Sequence, residues 1–123
     1  MDVLHSGSLI DGAEEFMSRN RPTLDEVLGA ACETYSVDPD EISFPRSLRA
    51  QRVYCYLCSR WAREPLTAIG NRIGLPSGDV DSMSRSVAQG RLRFPSLRDD
   101  LDLLTVRIAE RVMLRKRNWG VSR

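Results

Sequence analysis

Apolar residues recur along most of this chain at intervals of three and four, the spacing of one face of an α-helix, and no stretch sustains the alternation of a half-buried strand. Leu24, Val27, Leu28, Ala31 and Tyr35 form one such stripe, and Thr23-Leu24-Asp25-Glu26 after Pro22 has the form of a capping box, so the pattern predicts a helix over 24–35. Ahead of it, Leu9, Ile10, Ala13, Phe16 and Met17 carry a fainter helical signal. Asp38-Pro39 has an acidic cap followed by Pro at the first position, which favours a short turn that buries Ile42 and is closed by Pro45. From Leu48, the residues Val53, Tyr54, Leu57, Cys58 and Trp61 predict a long central helix over about 48–62, with Arg49, Arg52, Arg60 and Arg63 mostly elsewhere on the wheel.

The next segment is the most specific in the chain. Pro65 near a helix start and Gly74 at its end bound a short helix, Leu75-Pro76-Ser77 is a turn with Ser77 as N-cap, and Val80, Met83, Ser84 and Val87 line a second helix to about Ala88. Gly70 allows close approach of the second helix, Gly74 supplies the positive φ of the turn, and Ile69, Ile73, Leu75 and Val80 fill the corner. This is the pattern of a helix-turn-helix, whose later helix is the size of a major groove. After a break over Gly90 to Pro95, a cap-like start at Ser96 leads into a last helix to about Lys116, carried by Leu101, Leu104, Ile108, Val112 and Met113. The fold class expected is therefore all-α: one compact multi-helix domain over 22–117 built on a central helix-turn-helix. Residues 1–21 are read as a flexible or weakly helical acidic segment and 118–123 as a tail.

At 123 residues a single core is the economical reading, and the apolar and charged fractions of 41% and 28% are those of a globular protein. The net charge of +1 conceals a steep asymmetry: residues 1–45 hold ten acids against Arg19 and Arg21, while 46–123 hold sixteen basic residues against seven acids. Between Arg46 and Arg63 there are five arginines and no acid, a stretch to which a polyanion is drawn. No apolar run approaches the ~18 residues of a membrane span, and the N-terminus lacks the basic-then-apolar pattern of an export signal, so a cytoplasmic, nucleoid-associated location is expected.

Little supports catalysis. The chain has one histidine, His5, and no nucleophile with a base at useful spacing. Cys55 and Cys58 match Cys-x2-Cys, but only Cys32 and His5 remain to complete four zinc ligands, and neither belongs to a second close pair. Mid-helix placement also differs from that of a redox pair, so packed thiols are expected, with no metal and no cofactor. Trp61, Tyr54 and Tyr56 could stack on single-stranded bases, but their helical spacing reads more simply as core.

The segments Val27-x3-Ala31-x3-Tyr35-Ser36-Val37, Asp40-x-Ile42, Arg46-x2-Arg49-x2-Arg52-x3-Tyr56-Leu57 and Pro65-Leu66-x2-Ile69-Gly70-x3-Gly74 follow one another as in a known family. Over about residues 24–116 the chain resembles the C-terminal duplex-binding domain of the bacterial replication initiator DnaA (domain IV), a Trp-repressor-like fold. The resemblance implies recognition of a short duplex element, with Arg49 at the family's basic-loop arginine and Ser77 onward entering the major groove. The chain departs from the family after the turn: the signature Gly-Gly-Arg-Asp-His-Thr-Thr-Val is replaced by the shorter Gly74-Leu75-Pro76-Ser77-Gly78-Asp79-Val80, a turn more like that of general bacterial transcription regulators. No phosphate-binding Gly-x4-Gly-Lys-Ser/Thr motif accompanies it. Free-standing domains of this kind resemble those of phage-derived and alphaproteobacterial regulators, including activators of gene transfer agent clusters.

The function expected is sequence-specific duplex-DNA binding as part of a transcriptional regulator, an activator by this resemblance. In the reading helix Ser77, Gly78, Asp79, Asp81, Ser82, Arg85 and Gln89 face outward; Ser77 suits a phosphate, and Asp79 and Asp81 suit either cytosine N4 or the helix dipole. Backbone grip is assigned to Arg46, Arg49, Arg52 and Arg72. The basic stretch Arg111 to Trp119 extends this surface, meets a protein partner or leads to a further domain. The rival readings are an adaptor that binds RNA polymerase or an initiator, and a replication-origin binder; neither membrane nor small-molecule substrate is expected.

Overall fold

The computed structural model describes the backbone of residues 8–121 and the side chains of residues 9–117. Six α-helices account for most of them: α1 (Ser8–Arg19), α2 (Leu24–Tyr35), α3 (Leu48–Leu57), α4 (Leu66–Ile73), α5 (Ser77–Gly90) and α6 (Pro95–Val121). Among the described residues there is no strand, and no helix is long and apolar enough to cross a membrane.

The start of α2 is fixed by purely local chemistry. The Thr23 hydroxyl accepts from the Glu26 amide at 3.0 Å while the Glu26 carboxylate accepts from the Thr23 amide at 2.8 Å, so two amides that a helix start leaves open are satisfied together. Ser36, at φ 55°, ends the helix in the left-handed region. Asp38 caps a 3₁₀ turn over Pro39–Glu41, which delivers Ile42 to the core as the sequence implies. Pro45 opens a second 3₁₀ turn, Pro45–Ser47, instead of closing the first. Buried Gln51 holds this connection onto α3 by donating to the carbonyls of Ile42 (2.6 Å) and Phe44 (3.2 Å), and Ser47 donates to that of Glu41 (2.9 Å).

The central helix spans its expected length but changes pitch. Beyond α3 the residues Cys58–Ala62 form a π-turn, closed by the Arg63 amide bonding the Cys58 carbonyl at 2.9 Å. The turn ends at Arg63, φ 54°, and leaves Trp61 buried with the Arg60 guanidinium 4.5 Å from its ring centre. Tyr54, fully buried, donates to the Ile69 carbonyl at 3.0 Å and so ties α3 to α4.

The core comprises Val27, Leu28 and Ala31 of α2, Val53 and Leu57 of α3, Ile69 and Ile73 of α4, Val80 and Val87 of α5, and Leu101, Leu104, Ile108 and Val112 of α6. Ala13 and Met17 of α1 are buried in the same cluster, and α1 packs on α6. Residues 8–19, read from sequence as part of a flexible or weakly helical segment, are thus a packed helix of this domain. Other boundaries move too: α5 continues through Gly90, and α6 starts at Pro95 and extends to Val121, past the expected end at Lys116. Met113, expected inside, is exposed.

Seven arginines of the basic part reach acids among the described residues. Five of them return to the acidic front: Arg46 to Glu41, Arg60 to Glu14 (3.7 Å), Arg72 to Asp25 (2.5 Å), Arg111 to Glu33 (3.4 Å) and Arg115 to Glu26 (2.8 Å). The other two stay within the basic part: Arg49 pairs with Asp100 of α6 at 3.1 Å and Arg85 with Asp81 of its own helix at 3.0 Å. Each such exposed or half-exposed pair contributes little stability, about 0–1 kcal/mol, but together they decide which guanidinium groups remain open to a ligand.

Candidate nucleic-acid interface

Helices α4 and α5 are joined by the three residues Gly74-Leu75-Pro76. Gly74 adopts φ 75°, the left-handed conformation in which a side chain is strained. The Leu75 amide bonds the Gly70 carbonyl at 2.9 Å, and a β-carbon at Gly70 would overlap the Leu75 carbonyl oxygen and crowd the Val80 side chain. The two glycines therefore have the roles their spacing implies. Ser77 does not: Pro76 is the cap residue, Ser77 is the first helical residue, and its hydroxyl makes no capping bond.

Only Val80 and Val87 of α5 are fully buried, and Ser84 bonds Ser59 of the π-turn at 3.2 Å. The opposite face lies open over the length of the helix. A shallow groove of about 460 Å³ runs along it, lined by Gly78, Asp81, Ser82, Arg85, Ser86 and Gln89 and closed at its far end by Gly90, Arg93 and Phe94. Within it Arg85 pairs with Asp81 at 3.0 Å, one turn apart, so carboxylate and guanidinium largely cancel at that point. Ser77 and Asp79 lie off this groove, at the beginning of the helix.

A second groove, of about 490 Å³, lies between the start of α3 and the end of α5, lined by Leu48, Arg49, Arg52, Val53, Ser86, Val87, Gly90, Phe94, Ser96 and Leu97. Ser86, Gly90 and Phe94 belong to both grooves, so Arg52 stands beside the C-terminal half of the α5 face. Arg52 and Arg93 are exposed and make no ion pair among the described residues.

The arginines assigned to backbone grip are not all gathered here. Arg49 lines the second groove but is held by Asp100 and lies 5.8 Å from the Tyr35 ring centre, and Tyr35 donates to the same carboxylate at 2.8 Å. Burial pushes the Tyr35 phenol up to about 12, with its bond to Asp100 acting the same way, and the contact with Tyr35 raises Arg49 further. Arg46 sits over Phe44, 5.4 Å from its ring centre, with both Glu41 oxygens accepting from it. Arg72 bonds Asp25 at the first turn of α2, whereas Arg49 lies at Tyr35, the last residue of that helix. Ten residues of helix separate the two places by roughly 15 Å, and Arg72 lines neither groove.

Sequence reasoning passed over Ser86, Arg93 and Phe94. Their signal was present in Arg91-Leu92-Arg93-Phe94, a short connection that alternates basic and large apolar residues where a loop is ordinarily polar. Leu92 is 78% and Phe94 59% exposed.

The C-terminal basic stretch turns inward along α2. Arg107 donates to the Thr34 hydroxyl at 2.8 Å, Arg111 pairs with Glu33, and Arg115 bonds Glu26 and the Arg21 carbonyl. The side chain of Trp119 lies outside the described residues, as does His5.

The three cysteines are free thiols buried in the core. Burial pushes Cys55 up to about 12 and raises Cys58 and Cys32 as well. Among the described residues no three His, Cys, Asp or Glu side chains come together in a way that could hold a metal ion.

No family model matches the chain, and neither the curated proteins nor the solved structures contain a match to it.

Proposed function

We propose that this chain is a sequence-specific duplex-DNA-binding module of a transcriptional regulator, with α5 lying in the major groove and Arg52 and Arg93 contacting the flanking phosphates. One observation carries the reading: the outward face of α5 is uncovered from Gly78 to Gln89, bears the hydrogen-bonding groups of Ser82, Arg85, Ser86 and Gln89, and is flanked at its C-terminal half by two arginines with no acid partner among the described residues. Serine and glutamine amide or hydroxyl groups can read base edges, and arginine can bind guanine or phosphate. The weight of contact falls on the later turns of the helix, because the early ones carry Asp79 and the Asp81–Arg85 pair. The resemblance to the DnaA duplex-binding domain points the same way, and the changed sequence after Gly74 favours a promoter-type element over an origin box.

Selection from a random duplex library at fixed salt tests this directly. Enrichment of a defined motif, whose selected duplex outcompetes an origin box, is the expected result; recovery of no motif above the input library overturns it. A second reading, an adaptor that docks on polymerase or an initiator, draws support from exposed Leu92 and Phe94 at the end of the same face. It predicts that Leu92→Ser and Phe94→Ser abolish capture of a protein partner while the library returns nothing.

A further inference from the structure

The long helix α6 has a second face that the fold leaves uncovered. Its inner side, Leu101, Leu104, Ile108 and Val112, is buried, and α6 packs on α1 and α2, whereas α5 packs on α3 and α4. On the outer side Met113 and Leu114 are 44% and 54% exposed. Glu110 precedes them and Arg117 follows; all four fall within roughly 100° of the helical wheel and line one shallow depression of about 590 Å³. Neither Glu110 nor Arg117 makes an ion pair among the described residues, whereas Arg111, which lines the same depression, pairs with Glu33, and Arg115 pairs with Glu26.

This arrangement is complementary to itself. If two copies of α6 cross antiparallel about a two-fold axis between Met113 and Leu114, the apolar pairs meet at the axis. Glu110 lies three residues before Met113 and Arg117 three residues after Leu114, so Glu110 of each copy faces Arg117 of the other. A two-fold contact requires this reciprocity, residue i against j and j against i, and opposite charges at equal distances from the axis supply it. The parallel alternative opposes Glu110 to Glu110 and Arg117 to Arg117.

We infer that the outer face of α6 is a homodimer contact, in which a second copy of this chain packs Met113 and Leu114 against their counterparts and closes two Glu110–Arg117 pairs. The patch is short, and an interface of one helix pair falls below the ~1,600 Å² of a standard stable complex, so self-association is weak and reversible. The inference does not depend on α5 reading DNA. Where both hold, the two reading helices belong to different copies and the selected motif is an inverted repeat.

The test uses the full chain without DNA, by sedimentation velocity from about 10 µM to about 1 mM, the range in which a weak interface of this size becomes populated. Wild type is expected to shift from monomer to dimer with rising concentration. E110R and R117E, both at exposed positions, are each expected to weaken this at least about tenfold by placing like charges across the contact. Mixed together they are expected to associate, because each supplies the charge the other lacks, and the double variant E110R/R117E is expected to dimerise like wild type. A wild type that stays monomeric throughout, single variants that associate as wild type does, or a mixture and double variant that fail to recover association each overturn the inference. Helical circular dichroism matching wild type confirms that the variants remain folded.

Discussion

Gly70 faces the carbonyl oxygen of Leu75 so closely that no β-carbon fits between them. The obstructing atom is backbone, held by the Leu75 amide bonding back to the Gly70 carbonyl at 2.9 Å, so relief requires moving the turn itself. Gly70→Ala is therefore expected to cost about 3 kcal/mol, the upper part of the range for overpacking. Thermal unfolding should shift down by about 10 °C, as read by circular dichroism. Gly78, also helical, has nothing within 4 Å of a built β-carbon, and Gly78→Ala should leave the melting temperature unchanged or raise it slightly.

Arg52 and Arg72 have the same charge, but only Arg52 is expected to contribute to binding. Arg52→Ala and Arg93→Ala should each weaken binding to all duplexes alike and lower the salt slope by about one, since each removes a phosphate contact. Arg72→Ala, whose guanidinium is bonded to Asp25 away from the α5 groove, should leave binding at the wild-type level. Fluorescence anisotropy over a salt series separates the two; loss of affinity in Arg72→Ala equal to that in Arg52→Ala would contradict the assignment.

Ser82, Ser86 and Gln89 stand along the open groove with no intramolecular hydrogen bond recorded for their side chains among the described residues. Ser82→Ala or Gln89→Ala should change base preference at one or two positions by about 1–3 kcal/mol each while affinity for non-cognate duplex stays constant. Repeating the selection with each variant measures this.

These contrasts also show which parts of the structure the sequence could disclose. The capping box of Thr23 and Glu26, the turn at Gly74 and the stripe of Ile69, Ile73 and Val80 act within a few residues, and chain order alone displays them. The partner of a guanidinium is different. Arg72 meets Asp25 across 47 residues and Arg115 meets Glu26 across 89, so the steep charge asymmetry read as an open basic surface is in large part closed inside the fold. Helix α1 was faint because its apolar stripe is short and Gly12 lowers its helix propensity, and its order comes from the seat that α6 provides for Ala13 and Met17. Ser77 has the chemistry of a cap, but Pro76 occupies that position because its fixed φ suits the extended cap conformation and it needs no amide donor.

The phenol of Tyr35 gives a measurable pH signature. Its value in the folded protein, about 12, lies above its ordinary value of 10, so the folded state keeps the proton longer than the unfolded chain. The contribution is therefore complete below pH 10 and is lost as pH rises toward 12. Denaturant titrations from pH 9 to pH 12 should show wild type losing more stability over that interval than Tyr35→Phe. At pH 7 the same variant should be less stable by about 1 kcal/mol for the lost bond to Asp100.

Buried thiols with raised pKa values are poor nucleophiles, since the thiolate is the reactive form. Cys32, Cys55 and Cys58 should all resist a thiol-reactive disulfide reagent at pH 8 in the native protein and react at once in denaturant. Rapid labelling of Cys55 or Cys58 in native conditions would show that the α3 interior opens.

The pairing of acidic front with basic rear gives the domain a tethered counter-ion atmosphere. A polyanion that approaches Arg46, Arg60, Arg72, Arg111 or Arg115 must displace a carboxylate of the same chain, and the cost of breaking that pair disfavours each such contact. Phosphate contacts then fall to the guanidinium groups left without such a tether, and because the salt slope scales with the number of phosphates neutralised, a molecule rich in arginine should bind DNA with the slope of one that makes few contacts.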